Sequence, residues 1–252
     1  MLRATLDSTL LAASRRGVWL PSVSGTLALD GALRLFGWPA TRFISLSPVA
    51  IGFIVALLFA SYWLSISVMA AALSALRGGS DSVFENWVEP AKAGRAALVT
   101  AMAAVAVLAG MIAVIPGIYL GVMWAPITMI VLDDRTAAEA SDSGLVERDS
   151  TIFDAFELSS LLTQGARADI FAMFVALGFI FGGVELFGLG LTTLTKGTGV
   201  SVLAAVVNLA LRAAFNMLSL CFMAALYVEL EARAFVDTEI DRRDREGTPA
   251  SS

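Results

Sequence analysis

Asn208, Arg212, Asn216 and Ser219 follow one another at spacings of four, four and three, so on a helix they share one face. The other faces of that segment are Leu, Ala, Val and Phe. Upstream, Gly178, Gly182 and Glu185 fall at i, i+4 and i+7, a GxxxG followed by an acid on the same side. Glu185 and Arg212 lie equally far from the "TKGTG" turn between their segments, so an antiparallel hairpin brings them to equal depth. An isolated charge at the bilayer centre costs at least about 2.5–3.5 kcal/mol. The spacing therefore predicts that Glu185 and Arg212 meet, with the glycines allowing close backbone approach and the asparagines satisfying the remaining guanidinium donors. Two chemistries fit Glu185, Arg212, Asn208 and Asn216. One is a structural pair that fixes the register of a hairpin; the other is a polar pathway or binding pocket for an anionic substrate or lipid. A single ion pair can close on itself, whereas a permeation route recruits polar residues from several helices, which favours structure. Ser61, Ser65 and Ser67 are available to either, although serines in such helices commonly bond their own backbone.

Other chemistries lack their residues. The chain has no histidine, which removes Ser-His nucleophile pairs, histidine metal ligands and the commonest general base. Intramembrane aspartyl chemistry needs two facing carboxylates, and only Glu185 and Asp30 qualify by depth. The acidic run from Asp133 to Asp149 lacks the ordered spacing of a calcium loop, and the glycines lack the lysine of a phosphate-binding loop. The expectation is no catalytic residue, no metal and no cofactor. The one cysteine, Cys221, lies in an apolar run; it cannot form an intrachain disulfide and reads as a packing residue. A formal net charge of -5 and a pI near 4.8 argue against nucleic acid. The expected partners are membrane lipids and other membrane protein subunits.

The elements that must hold the seam are membrane helices. Hydrophobic residues make up 58% of the chain and the mean hydropathy is +0.79, more than a soluble domain of this length carries. Charges are absent from Phe43 to Leu76 and from Ala96 to Leu132, and Glu185 is the one charge between Asp169 and Lys196. Each stretch exceeds the roughly 20 residues that cross a hydrocarbon core. The segment 96–132 would measure about 55 Å as one helix and must turn, at Pro116 and Gly117, where proline removes a donor and glycine admits positive φ. The reading is an all-α polytopic bundle of about six helices in three hairpins, with spans near 18–38, 48–76, 96–115, 118–132, 169–194 and 200–227. Ser47 and Pro48 open the second span as N-cap and first-turn proline. Thr151 and Asp154 have capping-box spacing ahead of Ile152, Ala155, Phe156, Leu158 and Leu162, which predicts an amphipathic helix over 151–168 lying on the cytoplasmic surface. Residues 236–252 are polar and mixed in charge, as in a disordered tail.

Charge bias orients the layout. The Pro116 turn carries no Lys or Arg and the Gly197 turn carries Lys196 alone, whereas Arg77, Lys92, Arg95, Arg135, Arg148, Arg167 and the tail arginines cluster in the other connections. Both bare turns are therefore expected outside and both termini in the cytoplasm. That parity needs 18–38 as a span, with Asp30 and Arg34 paired at i and i+4; the rival is an interfacial helix with an exported N-terminus. Met1 to Arg16 has no basic region followed by a compact apolar core, so no secretory signal peptide is expected. Gly117 and Gly121 form another GxxxG for close packing, and Trp63, Trp87 and Trp124 read as anchors or packing residues.

Pro116 and Gly117, then Pro126, then Ala155, Ser159, Leu162 and Gly165 in "AFELSSLLTQG", then Tyr227, Leu230 and Arg233 in "LYVELEARAF" form a series that resembles a family of bacterial integral membrane proteins. That family includes the membrane domain of some glycerophosphodiester phosphodiesterases and related inner-membrane proteins of uncharacterised function. The resemblance covers residues 113–235, about half of the chain. It implies a six-helix domain in the bacterial plasma membrane. Glu157, Leu158 and Ser160 replace the basic residues and tryptophan usual there, and Glu231 stands where arginine is common, so headgroup contacts made by those cations are not carried over. No phosphodiesterase catalytic domain is expected in this chain. The function expected is a non-catalytic scaffold, anchor or accessory subunit of a membrane assembly; the alternative is a transporter or lipid-handling protein using the Glu185–Arg212 seam.

Overall fold

A computed structural model describes residues 1–35, 48–133, 152–197 and 199–247, with side chains described except at 29–51, 152 and 235–247. Every element among these residues is helical: α1 (Leu2–Ala13), α2 (Arg16–Leu35), α3 (Pro48–Leu76), α4 (Pro90–Gly110), α5 (Ile115–Met123), α6 (Ile127–Leu132), α7 (Ile152–Leu162), α8 (Arg167–Leu194) and α9 (Ser201–Gly247). Among the described residues, five stretches are long and apolar enough to cross a membrane, as in a multi-pass membrane protein: Gly52–Leu76, Pro90–Ala113, Ile115–Leu132, Arg167–Leu194 and Ser201–Ala234. α2 is a helix over most of the expected span 18–38, but it is not among these five. Ser47, Thr151 and the Asp30 and Arg34 side chains lie outside the described residues.

The boundaries depart from the sequence reading where a charged residue stands near a helix end. α4 opens at Pro90, not 96, because proline suits the first turn and Lys92 and Arg95 are tolerated there. α8 begins at Arg167. The surface helix expected over 151–168 stops at Leu162, and a turn with Gly165 in the left-handed region (φ +80°) leads into α8. α9 runs to Gly247, so 236–247 is helix and not disordered tail.

One core joins the inner faces of α1, α3, α6 and α9, with Ile66, Val68, Ala72, Met129, Cys221 and Tyr227 fully buried. α1 lies against α9 and α3 with an inverted pattern. Thr5, Thr9 and Ala12 face inward, while Leu2, Leu6, Leu10 and Leu11 are exposed. The threonine hydroxyls donate to the Met1 and Thr5 carbonyls, so small, internally satisfied side chains permit close packing. α2 packs on α3 and α9; a Cβ at Gly25 would stand 2.0 Å from Leu64 Cδ2. Trp63 stacks near Trp87, with ring centroids 5.6 Å apart, and its Nε1 donates to the Val88 carbonyl at 2.8 Å.

The middle of the chain is held differently from expectation. At the Pro116 turn the positive φ falls on Val114 (φ 57°, ψ -62°) and not on Gly117. Gly117 serves close approach, since a Cβ there would come 2.5 Å from the Met111 nitrogen. The expected span 118–132 is broken at Trp124–Pro126 into α5 and α6. Pro126 has no N–H and the Ile127 N–H bonds Trp124, which frees the Met123 carbonyl. Ser159 Oγ donates to it at 2.8 Å and Thr163 Oγ1 at 3.3 Å, both fully buried on α7 and the turn after it. Trp124 meets Phe156 of α7 edge to face at 4.9 Å. Arg167, at the start of α8, donates to the Tyr119 hydroxyl on α5 and lies over its ring. The Pro116 turn therefore sits by the beginning of α8, while the Gly197 turn lies beyond its other end.

Candidate functional site

α8 and α9 pack against each other, and the pair read from the sequence is in place. Arg212 Nη2 donates to Glu185 Oε2 at 2.6 Å. The pair sits on the flank of the hairpin: 42% of the Arg212 side chain and 33% of that of Glu185 remain accessible. Phe181 and Phe215 stack beside it at 5.1 Å. The close approach of the helices lies elsewhere than expected. A Cβ at Gly178 or Gly182 would meet nothing within 4 Å, whereas one at Gly188 would fall 2.0 Å from Asn208 Oδ1.

The asparagines do not complete the guanidinium. Asn208 is buried against Gly188, and its Oδ1 has no hydrogen-bond partner among the described residues. Asn216 turns to α2, where its Nδ2 donates to Thr26 Oγ1 at 3.2 Å. Beside that bond, Ser22, Ser61 and Ser65 line a crevice of about 10 Å³ between α2, α3 and α9, room for one water at most. Ser22 Oγ is buried there without a partner among the described residues. Ser65 and Ser67 bond the Ser61 and Trp63 carbonyls of their own helix. The four candidate residues thus form three separate contacts and no shared pocket.

A second charged cluster was not foreseen. α3 ends in a Schellman motif: the Gly79 N–H bonds Ser74, the Gly78 N–H bonds Ala75 and Gly78 is left-handed (φ +79°). That makes Arg77 the C-cap, a favourable place for a cation. Its guanidinium grips Asp133 at both oxygens, at 2.9 and 2.7 Å, and Glu231 at 2.6 Å. Tyr227 OH donates to Asp133 Oδ2 at 2.8 Å. Only 4% of the Asp133 side chain and 17% of that of Arg77 are accessible. The bond to Asp133 raises the proton affinity of Arg77 above the ordinary arginine value, against the effect of burial and with help from Glu231. The cluster clasps the ends of α3 and α6 to α9. Its members are 56, 94 and 154 residues apart. The signal in the sequence is that Arg77 and Asp133 are the first charges after the two long uncharged runs. Against it opens a cavity of about 740 Å³ lined by Arg77, Asn86, Trp87, Glu89, Lys92 and Asp133. It carries both signs of charge, and its arginine is already committed to carboxylates.

Leu230 is buried, and Arg233 approaches Asp169 and Glu229 at 3.6 Å each. Comparison of the chain with protein-family profiles, curated proteins and solved structures finds no match.

Proposed function

We propose that this chain is a non-catalytic structural component of a membrane assembly, a scaffold or anchor in the bacterial plasma membrane, binding lipids and other membrane subunits. The observation that supports it is the position of Glu185 and Arg212. They lie on an outward flank of the hairpin, while Asn208 packs on Gly188 and Asn216 bonds Thr26, whereas a permeation route draws polar residues of several helices onto one path. An outward ion pair suits contact with another polypeptide.

In this reading α2, antiparallel to α3, is a sixth membrane helix. The hairpins are α2–α3, α4 with α5 and α6, and α8–α9, the middle one entering obliquely so that its turn reaches the start of α8. Both termini are then cytoplasmic, in keeping with the arginines at the Arg77 end and in the tail. The lack of histidine supports a non-catalytic role.

The alternative, a transporter or lipid-handling protein, draws support from the 740 Å³ cavity. Purification without crosslinking, followed by mass spectrometry of intact particles, separates the two. A stoichiometric polypeptide partner, of the same or another kind, fits the assembly reading. A lone chain that moves a solute or lipid across vesicles sinks it.

A further inference from the structure

Building on the assembly reading, we propose that the partner is a second copy of this chain, docked on the flank of the α8–α9 hairpin so that Arg212 of each copy also donates to Glu185 of the other. Arg77 and Arg212 are served very differently. Arg77 has three hydrogen bonds to two carboxylates and is largely buried. Arg212 has one, to a single oxygen of Glu185, and is 42% accessible. Among the described residues its other guanidinium N–H groups and Glu185 Oε1 have no partner. Arg212 stands eleven residues into α9, about 16 Å from the turn at the helical rise and near the middle of a core about 30 Å thick. In hydrocarbon such groups need partners within protein.

The chemistry of the flank selects the occupant. It offers spare donors and a spare acceptor side by side, so it is self-complementary, the condition for a two-fold interface. A lipid phosphate would satisfy Arg212 but set its own charge against Glu185, and it would have to sink to mid-depth. A second copy satisfies both groups at once. Gly178 and Gly182 lie on the Glu185 side of α8 with no atom within 4 Å of a built Cβ, so an approaching helix meets bare backbone there.

Paired charge reversals test this. Glu185→Arg and Arg212→Glu chains carry different tags and are expressed separately, together, and as the double swap in one chain, then counted per particle in lipid nanodiscs by native mass spectrometry. The native chain and the double swap are expected as two chains per disc, and each single reversal as one chain. Coexpressed single reversals are expected to recover two-chain discs holding both tags. Recovery by mixing also shows that each reversed chain folds. One native chain per disc, or no mixed discs although the double swap stays paired, would overturn the proposal. A different protein held stoichiometrically by a lone chain would overturn the second copy while leaving the assembly reading standing. As a positional check, Gly182→Cys should crosslink between copies, while Cys221 is buried and supplies no background.

Discussion

Asp133 shows how much one side chain can hold: its carboxylate takes two bonds from Arg77 and one from Tyr227. Removing one partner of a buried pair leaves the other uncompensated and costs about 3–5 kcal/mol. Arg77→Ala and Asp133→Ala should each lower thermal stability in detergent by that order, and Arg77→Met with Asp133→Leu should cost less than either alone. A double change as damaging as the sum of the singles would show that the clasp does not act as a unit. The glycines of α8 separate in the same way. Gly188→Ala drives a methyl into Asn208 and is expected to lose about 1–3 kcal/mol by overpacking. Gly183→Ala meets open space and should stay within about 1 kcal/mol. The Glu185–Arg212 contact was legible in the sequence because hairpin symmetry fixes equal depth. The Arg77 cluster was not, since its carboxylates come from distant segments that only the packing of α6 and α9 brings together.

The helices were legible where uncharged length alone decides. α3 starts at Pro48 as its first-turn proline requires, and α8 and α9 flank the glycine turn. The α5–α6 break was illegible because the donor that tolerates it, Ser159, sits on another element. Ser159→Ala removes one donor from the Met123 carbonyl and should cost about 1–3 kcal/mol. In a Pro126→Ala background, where the helix can close its own bonds, the same change should cost less. A double-mutant cycle reads this coupling, and strict additivity would refute the link between proline and serine. Val114, a β-branched residue at φ 57°, holds strain of about 1–3 kcal/mol. Val114→Gly should therefore raise the unfolding midpoint.

At the scale of the whole molecule, α1 escaped the sequence reading because its pattern is inside out: threonines and alanine face the bundle and leucines face away, the reverse of a helix on a water-soluble core. Thr5→Leu should overpack the junction with α9 and lose about 1–3 kcal/mol, or about 2–4 °C per kcal/mol in a chain of this size. Leu6→Thr, on the outward row, should change the midpoint little. The place of α1 also dictates an order of events at the ribosome. α1 rests on α9, which lies about 190 residues further along the chain, so it has no seat until α9 has been made. Its outward leucines give it somewhere to wait, on the bilayer surface, so a helix made before α3 settles only after α9.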